Sequence, residues 1–233
     1  MVSQSKSLGS CASVVGTFFG HLQSRLMSAE ERAKKIKVLL FDVDGVLTDG
    51  KIWLFPAPAG AKLNTQEQAQ PKADAGGYAI ISDRMMESKG FHAHDGVGMS
   101  LARLGGLRLG VITKRISEAV ALRARDLKLD HIYQGQNNKI EALQKIVVAD
   151  GVKEENVAYV GDDIVDLTVM RRCGLAIAVP NARQEVLDEV HFVTKHPGGE
   201  GAARDAVEYI LKAQGSWDEV LRKYVAGKLE PNW

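Results

Sequence analysis

Cysteine is nearly absent from this chain: there are two, Cys11 and Cys173, and neither belongs to a CxxC pair. A disulfide framework or a thiolate zinc site is therefore not the basis of the fold, and a reducing compartment fits. An excess of one charge sign is lacking as well. The formal net charge is +1 with 25% charged residues, so no general electrostatic grip on nucleic acid or on an anionic membrane is expected. No apolar run approaches the roughly 18 residues that a membrane span requires. The mildly apolar start, SLGSCASVVGTFFG (7–20), faintly resembles a lipoprotein cleavage box, but no charged segment and continuous apolar run precede Cys11. A cytoplasmic protein is expected, with partners to be argued from a site.

At 233 residues the chain suits one domain with a full core and short additions. The stretch VLLFDVDGVLTDG (38–50) puts two aspartates, one residue apart, and a glycine after four apolar residues. Its apolar half predicts a strand buried from both sides, over Lys37–Phe41. Ser28 and Glu31 form a capping-box pattern, which predicts a short helix leading into that strand. From Gly96 onward the short apolar stretches LRLGVIT (107–113), HIYQ (131–134), NVAYVGD (156–162) and LAIAV (175–179) alternate with helical ones. This alternation predicts right-handed crossovers and an α/β fold, a doubly wound parallel sheet covered on both faces.

From the end of the strand-like GKIWLF (50–55) to the first residue of GYAIIS (77–82) run 22 residues, 56–77, with three of the six prolines, no aromatic and one leucine. Such a segment cannot bury enough surface to fold alone, so 56–77 is expected to be a mobile loop on a protruding β-hairpin, not a cap domain. The expected organisation is a poorly ordered extension over 1–27, a core over 28–215 and a helical tail over 216–233.

Ligands of an open parallel sheet bind at the carboxyl ends of its strands, and four polar signals fall there. They are Asp42 with Asp44, Thr113, Lys139, and the GDDIVD segment with Asp162, Asp163 and Asp166. An isolated Asp or Thr at a strand end is most often a cap or turn residue. Four signals at one edge are harder to explain that way. Clustered carboxylates raise one another's pKa unless something positive sits among them. Oxygen-only ligands point to a hard cation, and few carboxylates plus a phosphate suit Mg²⁺ better than Ca²⁺. A carboxylate beside such a cation, with Lys139 and Thr113 aimed at the same point, is what phosphoryl transfer to an aspartate needs. Asp44 stands where it can give a proton to the leaving alcohol and take one from water.

FDVDGVLTDG, VITK, Lys139 and GDDIVD, in that order, resemble the four motifs of the haloacid dehalogenase superfamily of aspartyl phosphatases. More narrowly, DVDGVLTDGKIW, ESKGFHAHDGVGM, YQGQNNK, VAYVGDDIVD and GGEGAARDAVEYILKAQG resemble the capless 3-deoxy-D-manno-octulosonate 8-phosphate phosphatases over residues 36–215. The resemblance implies a haloacid dehalogenase-like Rossmannoid fold and a Mg²⁺-dependent homotetramer acting on a small phosphorylated sugar acid, with no nucleic-acid or membrane partner. It implies Asp42 as nucleophile, Asp44 as acid/base, and Thr113 and Lys139 as phosphate binders. Asp162, Asp42 and the Asp44 carbonyl are the implied metal ligands. Asp163 and Asp166 would hold the metal site and Lys139 in place, and Gly45 and Gly161 would let backbone approach phosphate and metal.

Three departures bear on the substrate. The family's second motif usually reads Thr-Gly-Arg, whereas here Thr113-Lys114-Arg115 keeps the arginine expected at a sugar carboxylate beside a bulkier neighbour. The expected Gly-Gly-Arg-Gly is GGEG (198–201), and Glu200 matches a related group acting on nine-carbon keto-deoxy sugar acid phosphates. The 22-residue loop also exceeds the family's tight turn. His92 and His94 alternate as on a strand, but a metal pair at that spacing lacks a third ligand; His94 and Asp95 are instead candidates for the entrance, where the family has a similar segment. Non-enzymatic readings are a phosphoacceptor receiver domain, in which GDDIVD and Asp44 would have no place, and a silent interaction module, which would not need every catalytic position filled.

Overall fold

The computed structural model describes residues 27–58, 78–79 and 84–227. The extension over 1–26 and most of the loop expected at 56–77 lie outside the described residues.

The first strand, β1 (Val38–Phe41), is buried along its whole length. Side chains alternate across a strand, and both of its faces are covered: Leu39 and Phe41 join one core cluster, Val38 and Leu40 the other. That is why the stretch reads as a continuous apolar run and not as an alternation. Ser28 caps the helix Ala29–Ala33 that precedes it, with the reciprocal Glu31 bond of a capping box.

The central sheet adds β5 (Arg108–Ile112), β7 (His131–Tyr133), β8 (Val157–Gly161), β9 (Leu175–Ala178) and β10 (Phe192–Val193) to β1. The spatial order is β10-β9-β8-β1-β5-β7, with every pair parallel. The chain builds outward from β1 through β5 to β7, then returns to the other side of β1 for β8. The crevice at the ends of β5, β1 and β8 is therefore a topological switch point, and the expected α/β fold is observed.

Helices Ala93–Leu104 and Ala202–Ala213 cover one face, and Lys139–Asp150 with the short Leu167–Met170 the other. The segment after Gly215, expected as a tail, forms the helix Trp217–Val225. It packs on its own chain, with Val220 buried and Trp217 and Tyr224 against the core.

Two smaller pairings lie outside the sheet. In the ribbon, β2 (Trp53–Pro56) pairs antiparallel with β4 (Met85–Ser88), while β3 (Tyr78–Ala79) pairs parallel with β6 (Arg115–Ile116). This corrects the hairpin reading, because the partner of the WLF strand is MMES and not GYAIIS. In the ribbon β2 is exposed at every residue, while β4 alternates between half-buried Met85 and Glu87 and exposed Met86 and Ser88, so its burial does not follow an apolar-polar alternation that a sequence reading could find. Pro56 sits inside the ribbon, not in the loop, and Ala57 still donates to the Arg84 carbonyl at 2.7 Å.

Candidate active site

Asp42 follows β1 and extends its ladder, its N–H donating to the Val160 carbonyl at 2.9 Å. The residue is 6% exposed. Oδ1 accepts from the Val43 N–H at 2.7 Å, and Oδ2 lies 3.0 Å from Lys139 Nζ. Lys139 opens its helix, where a cation opposes the helix dipole. It is kept there by acceptors, since Nζ also reaches Asp166 Oδ1 at 2.7 Å and Tyr159 Oη at 3.0 Å. All three ammonium hydrogens are thereby used. Burial alone would depress the Lys139 pKa, but Asp42 and Asp166 outweigh it and the group is raised.

Asp166 is fully buried and saturated. Oδ1 accepts from Lys139 and from the Tyr159 hydroxyl at 2.8 Å, while Oδ2 accepts from the Asp162 and Asp163 N–H groups at 3.0 and 3.2 Å. A carboxylate offers about four lone-pair sites, so Asp166 has none left for a cation, although its oxygens lie within 4.8 Å of Asp42 and Asp162. Asp163 is exposed and caps the turn Ile164–Asp166.

Asp162 is different. Its Oδ1 is buried with no hydrogen-bond partner among the described residues, an orphaned acceptor that a positive group would satisfy. Burial first, then Asp42 and Asp166, push Asp162 up to about 8. Asp42 is pushed up to about 6, chiefly by burial, with Lys139 opposing. A divalent cation between Asp42 and Asp162 would relieve both shifts, so these residues fit a hard metal.

Glycine makes the close packing possible. Gly45 has φ +91°, and a Cβ there would stand 2.0 Å from Asp162 Oδ2. Gly198 packs on it in turn, a Cβ at Gly198 falling 1.7 Å from the Gly45 carbonyl oxygen. The first glycine of GGEG therefore rests on the DVDG turn and the second on the backbone of Thr48 and Asp49, and Asn181 accepts the Gly198 N–H at 2.9 Å. Gly161 likewise leaves room for Asp166, which a Cβ would meet at 2.6 Å. Glu200 is exposed, with its charge acting on Lys51.

Asp44 has a different set of partners. Its Oδ1 accepts from Lys89 Nζ, and its Oδ2 lies 3.2 Å from Arg115 Nε. Thr113 is buried at the end of β5, its backbone held between Tyr133 and Gln136. His92 and His94 are not on a strand: His92 is the N-cap of Ala93–Leu104, and the two rings meet edge to face at 4.7 Å. Asp95 is buried and does not line an entrance, since Oδ1 accepts the Arg204 N–H in the first turn of Ala202–Ala213. Lys89 and Tyr159 were missed from sequence, the first being a lone lysine before a glycine and the second lying inside an apolar run.

Residues 112–204 match the family described as haloacid dehalogenase-like hydrolase. The chain is 34% identical to the 3-deoxy-D-manno-octulosonate 8-phosphate phosphatase KdsC of Escherichia coli (strain K12), over 81% of this chain and 86% of that protein. Its counterpart from Yersinia pestis is 32% identical, over 79% and 84%. A crystal structure of the Moraxella catarrhalis phosphatase, in complex with magnesium ion, phosphate ion and KDO, superposes with a TM-score of 0.69 at 33% identity. It covers 84% of this chain and 97% of that one. The chain belongs to this class of hydrolases and, within it, to the 3-deoxy-D-manno-octulosonate 8-phosphate phosphatase family.

Proposed function

We propose that the chain hydrolyses 3-deoxy-D-manno-octulosonate 8-phosphate to the free sugar acid and inorganic phosphate, with Mg²⁺ as cofactor. The observation that carries the reading is the buried Asp42–Lys139–Asp166 cluster beside the orphaned Asp162 oxygen. Asp42 and Asp162, with the Asp44 carbonyl, would hold the cation. When bound, it offsets the negative charge shared by nucleophile and phosphate.

An Asp42 oxygen attacks phosphorus while the ester P–O bond breaks, and the departing sugar oxygen takes its proton from Asp44. Water then attacks the aspartyl phosphate, gives its proton back to Asp44 and releases Asp42 with phosphate. Lys139 exchanges its Asp42 contact for a phosphate oxygen as the carboxylate is consumed. Thr113 donates to another phosphate oxygen, and Gly45 lets the backbone approach it. Asp166 and Tyr159 keep Lys139 in line, and Asp163 fixes the turn that carries Asp166.

Arg115 meets Asp44 through Nε, so that contact leaves its terminal nitrogens for the sugar carboxylate. Glu200 favours a second reading, a nine-carbon keto-deoxy sugar acid 9-phosphate. Phosphate release from a panel of both sugar-acid phosphates, with Mg²⁺ and again after EDTA, tests the proposal. Turnover of neither compound, or turnover that survives chelation, overturns it.

We infer a cytoplasmic homotetramer with the catalytic core over 28–215. The ribbon supports the assembly, because Trp53 and Phe55 are about half exposed on a two-stranded element that is marginal alone. A second copy covering it would also shield the site. Light scattering that finds a fully active monomer would refute the assembly.

A further inference from the structure

Lys89 follows directly on β4, where the ribbon returns to the body, and its side chain is completely buried. A buried ammonium must be paired to be tolerated. Nζ donates to Asp44 Oδ1 and lies 3.1 Å from Glu87 Oε1. Arg115 Nε holds the other Asp44 oxygen. Glu87, Lys89, Asp44 and Arg115 thus form a row of alternating charge, drawn from three segments distant in sequence.

We propose that Lys89 is a positioning residue for proton transfer, fixing the direction in which Asp44 presents its oxygens to the leaving group. This rests on the acid/base reading of Asp44. The χ2 torsion of aspartate is broad, so a carboxylate held at one oxygen can swing, whereas one held at both cannot. Arg115 is about a quarter exposed and faces the sugar acid in the proposed reaction, which makes it a mobile partner. Lys89 is enclosed and cannot leave. Glu87 in turn fixes Lys89, and because both residues close the ribbon, the seating of the ribbon sets the aim of the acid/base.

The test compares Lys89→Met, Asp44→Asn and the double variant in the Mg²⁺-loaded protein, on 3-deoxy-D-manno-octulosonate 8-phosphate and on p-nitrophenyl phosphate. The aryl leaving group needs no proton; the sugar alcohol does. Lys89→Met should lower kcat/KM, which reports the step that expels the leaving group and not the later attack of water, on the order of 100-fold on the sugar phosphate, the low end of a general-acid contribution, and on the aryl phosphate at least about tenfold less. The double variant should be within about twofold of Asp44→Asn, since residues acting through one another are not additive. Equal losses on both substrates, or losses that multiply in the double variant, overturn the proposal. Should Lys89→Met not fold, Lys89→Arg carries the test by keeping the charge and moving its point of contact. A sugar-phosphate loss about threefold or more beyond the aryl loss then supports positioning, and equal effects overturn it. If Asp44→Asn itself slows both substrates equally, the acid/base reading falls, an outcome distinct from failure of Lys89→Met alone.

Discussion

Asp42 and Asp44 stand two residues apart but are held in opposite ways. Asp42 is buried among strand ends, held by Val43 just after β1, by Val160 in β8 and by Lys139 at the start of its helix. Asp44 is about a quarter exposed and held by Lys89 and Arg115, which follow or belong to the two pairings outside the main sheet. The half of the site that meets phosphorus is thus built into the rigid sheet. The half that meets the leaving group is borrowed from accessory segments. Phosphorus is the same in every substrate and the leaving group is not, so this division lets one half vary while the other is preserved.

The sharpest way to break that comparison is at the nucleophile. Asp42→Asn should reduce turnover on the order of 10⁴-fold or more on every phosphate ester, because an amide cannot attack phosphorus. The variant should still fold by circular dichroism; near-normal activity in a folded variant would end the mechanism.

Lys139→Met comes next, since it leaves Asp42 and Asp166 buried without their cation. Breaking a buried pair costs about 3–5 kcal/mol, so urea unfolding should show a loss of that size, well above that of Arg115→Ala on the more exposed side. Comparable losses for the two variants would mean that both halves are equally rigid.

Arg115→Ala sharpens the contrast from the leaving-group side. A charged two-point contact is worth roughly 1.5–3 kcal/mol, so KM for the sugar-acid phosphate should rise about ten- to a hundredfold, with little change for an aryl phosphate. A similar rise for both would make Arg115 part of the common scaffold.

The smallest effect concerns protons. Asp42 and Asp162 are raised from an ordinary 3.8 to about 6 and about 8, so the folded chain keeps protons that the unfolded chain has released. Their contribution to stability is therefore complete below pH 3.8 and is lost as pH rises through about 6 and then about 8. Metal-free protein should melt lower at about pH 8 than at about pH 5. Mg²⁺ at a hundredfold its Kd should restore about 2.7 kcal/mol, or roughly 5–10 °C for a chain of this size. A metal-free Tm that rises over the same range would reverse the sign of the argument.

The division also decides what was legible in the sequence. The strands of the sheet are buried on both faces and read as apolar runs. Their ends carry carboxylates, a lysine and a threonine at spacings that only a shared crevice explains, and Asp42, Asp162, Asp166 and Lys139 do come together there. The accessory half left no such signal. GYAIIS has the stronger strand composition, yet MMES makes the pairing, because β2 is exposed throughout and the half-buried side of β4 carries Met85 and Glu87, a surface that strand composition does not register. Lys89 had no periodicity to betray it. His92 and His94 share the spacing of a strand, but they fall where a helix begins and His92 serves as its cap.

The stack formed by Gly198 on the Gly45 carbonyl and Gly45 on Asp162 has a consequence for how such enzymes can diverge. Three loops from distant parts of the chain meet there, Gly198 on the Gly45 backbone and Gly45 on the Asp162 carboxylate. A side chain at either glycine cannot be absorbed by trimming its neighbour, since one neighbour is backbone and the other is the carboxylate proposed to hold the cation. The DVDG turn, the GDD turn and the first half of GGEG are therefore inherited as one block, and recombination between relatives succeeds only when all three come from the same parent. Glu200, one residue past that block and exposed, is the nearest position free to drift.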